Sequence, residues 1–170
     1  HASDRLTTLL APSMSSSEIA QVKHSGQVDY ILLTNRDHER EAAAYQKEFH
    51  CRIYVPENDA PEMSVAPDEV YRDQDLLPGG IWSIQLSDQK SKGESALFIQ
   101  QGKGILIVGD ALLGKPLGAV CMLPSEKYTN MEKAREGLRR LLKYNFDALL
   151  VGDGTSILTG AKSIVEQALQ

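Results

Sequence analysis

The stretch Val28-Asp29-Tyr30-Ile31-Leu32-Leu33-Thr34-Asn35-Arg36-Asp37-His38 decides how this chain is read. Its first seven residues are mostly apolar, with β-branched and aromatic side chains, and predict a buried strand. The next four are polar and set a carboxylate and an imidazole at the strand's carboxyl end. In layered α/β folds, loops converge there and ligands are bound there. Two later strands end alike: GILIV runs into Gly109-Asp110, and ALLV runs into Gly152-Asp153-Gly154. Asp37, His38, Asp110 and Asp153 therefore form a candidate hard-metal or acid/base site. Against that stands the common use of an aspartate after a strand as a turn former or helix cap.

Outward from this stretch, residues 35–49 have helical spacing, with Asn35 or Asp37 placed to cap them. Residues 52–55 predict a second strand, and residues 56–80, carrying four prolines, predict mostly loop. Residues 81–86 alternate as a half-buried strand. Residues 96–100 and 104–108 flank Gln101-Gly102-Lys103 and predict a hairpin. Residues 129–144 form an amphipathic pattern with Leu138, Leu141 and Leu142 on one face, and Arg139-Arg140 are expected on a solvated edge. A strand at 148–151 and a helix at 158–169 complete the chain. Tyr30 and Trp82 are expected in the core. Consecutive strands in the middle favour helices packed on mixed sheets over a purely parallel sheet.

The chain has 170 residues, of which 42% are hydrophobic, enough for one packed domain spanning residues 1–170. Acidic side chains outnumber basic ones 23 to 18, a net charge of −5 that argues against nucleic acid as a partner. No apolar run approaches the roughly 18 residues of a membrane span, so no membrane partner is expected. Cys51 and Cys121 lack any metal-type spacing and make no disulfide framework, so a cytoplasmic setting is expected. Four histidines leave little room for a site built mainly on imidazoles, and only His38 sits beside another good metal ligand. A chain that opens on His1 is read as a fragment or a shortened sequence.

At these residues the sequence resembles the metallo-β-lactamase superfamily, whose members are four-layer αββα sandwiches. The family's HxHxDH metal motif follows an apolar strand, and the matching stretch is Leu33-Thr34-Asn35-Arg36-Asp37-His38. Asp37 and His38 keep the motif's last two ligands, while Leu33 and Asn35 stand where its histidines would be. The family's GHTPG-like turn matches Gln89-Lys90-Ser91-Lys92-Gly93, with Lys90 at the histidine. Its bridging aspartate matches Asp110. Its last histidine matches Asp153 in Gly152-Asp153-Gly154. The sequence is also similar to small uncharacterised proteins of this fold in which the motif reads TNxDH and the last turn VGDG. Only 27 residues precede Val28, so the N-terminal part of the sandwich is expected to be short or incomplete.

The resemblance implies a two-metal hydrolase ancestry and a degenerate site. Leucine cannot ligate, an asparagine amide is a weak ligand and a lysine ammonium repels a cation, so the three-histidine half-site is lost at Leu33, Asn35 and Lys90. Two states of the other half remain open. Asp37, His38, Asp110 and Asp153 would hold one divalent ion, with a carboxylate-rich set favouring manganese, iron or magnesium over zinc. Alternatively, no metal binds and Lys90 pairs with Asp110 to neutralise the acids. The implied function is that of a non-catalytic relative that binds a small molecule or partner protein. Its alternative is a mononuclear hydrolase of an ester, thioester or phosphoester, with Asp37 as general base.

Overall fold

The computed structural model describes residues 14–170; the opening stretch 1–13, and with it part of the expectation about the N-terminus, lies outside the described residues. Helix α1 (Ser16–Ser25) is closed at its start by a capping box in which Ser15 and Glu18 satisfy each other's backbone donors. Strand β1 (Tyr30–Leu32) pairs in parallel with β2 (Arg52–Pro56), and β2 pairs in parallel with β3 (Glu69–Tyr71). Between β1 and β2 runs α2 (Ala42–Phe49), which makes this a parallel crossover unit.

A second sheet follows in the order β4 (Leu76–Leu77), β5 (Ile81–Gln85), β6 (Ser95–Ile99), β7 (Ile105–Val108), β8 (Ala148–Val151). Its first four strands are antiparallel, including the expected hairpin of β6 and β7, whereas β8 joins β7 in parallel. The connection to β8 carries α3 (Met131–Arg139), and α4 (Ala161–Ala168) closes the chain.

Period-two alternation along the strands separates three apolar layers. Ile31, Leu33, Ile53 and Val55 point toward α2, packing with Ala42, Tyr45 and Phe49. Leu32 and Tyr71 point the other way and meet Leu77, Ile81, Leu97 and Ile107 of the second sheet. That sheet's far face carries Ile84, Phe98, Leu106, Val108 and Leu149 against Leu138, Leu141, Ala161 and Val165. Helix, sheet, sheet, helix is the αββα order that the resemblance implies.

Several local expectations are corrected. The segment 35–49 is not one helix but a single 3-10 turn, Arg36–His38, followed by α2. Asn35 caps the turn by accepting from the Asp37 amide at 3.0 Å. The helix expected at 129–144 stops at Arg139 and tightens into a 3-10 turn at Arg140–Lys143. Arg140 is not simply solvated: it bonds Asp73 Oδ2 at 2.6 Å and the Gln85 carbonyl at 3.1 Å. The proline-rich 56–80 segment contains β3 and β4, each too short to carry a periodic signal. The last helix starts only at Ala161, after Gly160 in the left-handed region (φ 68°). Tyr30 and Trp82 are half-buried at the margins of their layers.

Candidate functional site

The site is built where β1 and β7 end side by side and the loop before β6 folds over them. Beyond β1, Thr34 and Asn35 are both fully buried. Asn35 uses both ends of its amide: Oδ1 caps the 3-10 turn, while Nδ2 donates to Glu94 Oε2 at 2.9 Å. The turn then presents Asp37 and His38. Beyond β7, Gly109 lets the backbone approach His38 closely. A Cβ there would lie 2.3 Å from Thr34 Oγ1 and 2.8 Å from His38 Cε1. Gly152, beyond β8, faces the same ring carbon, at 3.3 Å from an added Cβ. The two Val-Gly-Asp repeats share a glycine that makes room for one imidazole.

Lys90 is the centre of the cluster. Its ammonium lies 2.7 Å from Asp37 Oδ2 and 2.8 Å from Asp110 Oδ2. The other oxygen of Asp110 is 3.1 Å from His38 Nε2. Since an ionised carboxylate only accepts, Nε2 carries the proton and donates, leaving Nδ1 3.3 Å from the Thr34 hydroxyl. The hydrogen bond from His38, with further support from Lys90, holds the Asp110 carboxyl well below the usual carboxylate range. Burial works against the charge on Lys90, but its hydrogen bonds to Asp110 and Asp37 prevail and raise its pKa. The side chains of His38 and Asp110 are 15% and 17% exposed and that of Lys90 33%, so water screens this network only in part.

Two acids with no role in the sequence reading support the cluster. Asp59 is fully buried and accepts from the Gly93 amide at 2.8 Å and the Arg36 amide at 3.0 Å. It thereby ties the Lys90 loop to the turn bearing Asp37. Gly93 is required there, because a Cβ would lie 2.6 Å from Asp59 Cγ. Glu94 is 1% exposed, and its Oε1 is buried without a hydrogen-bond partner among the described residues. Burial pushes its pKa up to about 8, so it is largely protonated at neutral pH. A polar residue between a glycine and a buried strand was a usable signal for Glu94. Nothing in the proline-rich loop singled out Asp59.

Asp37, His38, Asp110 and Lys90 thus come together; Asn35 touches them through the Asp37 amide, and Leu33 and Asp153 do not join them. Leu33 is fully buried in the layer against α2 and lines no site; its amide donates to the Tyr54 carbonyl at 3.0 Å and its carbonyl accepts from Tyr71 Oη at 2.6 Å. Asp153 is exposed and pairs with Lys115 at 3.0 Å. Among the described residues, no group of three or more His, Cys, Asp or Glu side chains is disposed to hold a metal ion.

An αββα sandwich with polar groups gathered at the ends of β1 and β7 defines a metallo-β-lactamase-type protein. The family profile of the metallo-β-lactamase superfamily matches residues 7–169, and the chain belongs to that superfamily. Among solved structures it is similar to a metallo-β-lactamase from Pontibacter korlensis, with TM-score 0.73 and 14% identity over 95% of this chain and 78% of that one. It is also similar to the BLEG-1 B3 metallo-β-lactamase, with TM-score 0.72 and 13% identity over 90% and 83% of the two chains. An archaeal metallo-β-lactamase superfamily protein from Sulfolobus tokodaii aligns with TM-score 0.64 and 14% identity over 84% and 67%. Identities this low speak for the fold alone. No curated protein matches the sequence.

Proposed function

We propose that this chain is a binding member of the superfamily in which a lysine ammonium has taken over the electrostatic role of the metal. The observation that carries this is Lys90 Nζ within 2.8 Å of a carboxylate oxygen from each of Asp37 and Asp110. A fixed cation there neutralises the acids that would otherwise attract a divalent ion, and it repels one that approaches. The donor set points the same way. Asn35 spends its amide on the cap and on Glu94, Leu33 belongs to the core, and Asp153 is engaged with Lys115. The residues present do not fit a divalent metal.

The role is that of a single-domain cytoplasmic protein that binds a small molecule or a partner protein. Two free cysteines fit a reducing compartment, and no helix among the described residues is long and apolar enough to cross a membrane. The adjacency of His38 and Asp110 favours a second reading, a mononuclear hydrolase with Asp37 as general base. The two readings part on turnover of generic esters, thioesters and phosphodiesters with and without added zinc or manganese. The binding reading predicts no turnover above background in either condition. Metal-dependent turnover abolished by Asp110→Asn would overturn it in favour of the hydrolase.

A further inference from the structure

Two cavities open beside β5, and neither is lined by a residue of the Lys90 cluster. The first, of about 470 Å³, lies between the end of β5 and α3 and is lined by Lys133, Arg139, Arg140 and Lys143, opposed by Asp88 and Glu136. Arg139 is engaged by Glu136 at 2.7 Å and Arg140 by Asp73 at 2.6 Å. Lys133 and Lys143 have no ion-pair partner among the described residues. In a chain of net charge −5, this is a local surplus of positive charge.

The second cavity, of about 570 Å³, is walled by Trp82, Phe98 and Tyr144 and edged by Gln100, Lys103 and Asn145. Trp82 and Phe98 face each other across β5 and β6. Phe98 and Tyr144 pack at 5.3 Å between ring centroids, and Tyr144 Oη accepts from Gln74 Nε2 at 2.7 Å. The aromatic wall is therefore held in place, and Trp82 is only partly buried. Lys143 lines both cavities, which therefore lie next to each other.

A fixed aromatic wall suits the face of a planar ring, and amides at its edge suit that ring's polar atoms. Unpaired ammonium groups next door suit an anion carrying more than one charge. We propose that the two adjacent cavities together bind a nucleotide, with its base against Trp82 and Tyr144 and its phosphates between Lys133 and Lys143. This site is independent of the state of the Lys90 cluster.

Trp82 is the chain's single tryptophan, so its fluorescence reports on the site without labelling. Titration with ADP should give saturable quenching that weakens as salt is raised. Both lysines are exposed, so Lys133→Ala with Lys143→Ala is expected to fold normally and to weaken ADP binding about tenfold or more. Adenosine and pyrophosphate should each bind more weakly than ADP, since each engages one cavity. Calorimetry on the same samples guards against quenching without binding. Absence of both saturable quenching and binding heat at millimolar ADP would overturn the proposal. So would equal affinity for ADP and pyrophosphate, or a double variant that binds ADP as the unmodified protein does.

Discussion

Replacing Lys90 with methionine keeps most of the aliphatic stem and removes the charge. Asp37 and Asp110 then lose an ammonium that stood 2.7 and 2.8 Å from their oxygens, and only His38 remains to Asp110. Exposed ion pairs contribute at most about 1 kcal/mol, while breaking a buried pair costs about 3–5 kcal/mol. With Lys90 one-third exposed and Asp110 17% exposed, the expected loss is about 1–3 kcal/mol at neutral pH. The pH dependence has a definite sign. The folded Asp110 carboxyl is depressed, so its contribution is present above the unfolded value of about 4 and fades as pH falls toward the folded one. Lys90 is raised, so its contribution is present below about pH 10 and is lost only as pH climbs through its folded value. Urea unfolding of the protein and of Lys90→Met, measured at low salt from about pH 2.5 to 8, should show a gap that is full at neutrality and begins to narrow toward the acid end, where the folded Asp110 is still ionised. Equal stability at pH 7, or a gap that widens as pH falls, would contradict this assignment.

Three further outcomes follow from the same geometry. Glu94 is protonated when folded up to about pH 8 but ionises near 4.3 when unfolded, so it costs the protein stability progressively as pH rises between those values. Glu94→Gln should flatten that decline in a thermal-melt series, and an unchanged slope would count against the assignment. Gly109→Ala forces a methyl against Thr34 and His38 and should destabilise by about 1–3 kcal/mol, read by chemical unfolding. Leu97 is fully buried between the two sheets, and Leu97→Ala should cost about 2–5 kcal/mol by the same measurement.

The architecture was legible because β1, though only three residues long, lies in the seven-residue, mostly apolar run 28–34, and β6, β7 and β8 are apolar runs in their own right. The polar ends of β1, β7 and β8 lie where a layered fold gathers its ligands. β3 and β4 were not legible, since they are short strands set in a proline-rich segment with no apolar run around them and take their identity from the neighbour they pair with. Motif alignment set Leu33 at a ligand position, but strand alternation puts it with Ile31 on the α2 side, away from the cluster. Asp153 follows a strand just as Asp110 does, yet its exposed side chain is drawn to Lys115, a pairing no local pattern encodes. Lys90 was readable as a cation replacing a ligand; that it spans two carboxylates emerges only when the loop is folded. Glu94 and Asp59 hold the site through contacts 59 and 34 residues away in sequence, beyond the reach of any spacing rule.

The claim that Lys90 stands in for a metal is tested most directly by elemental analysis of protein purified without chelator, before and after dialysis against zinc and manganese. The account predicts far less than one equivalent of any divalent metal per chain in both samples. One equivalent that survives dialysis against buffer and disappears in Asp110→Asn would contradict it.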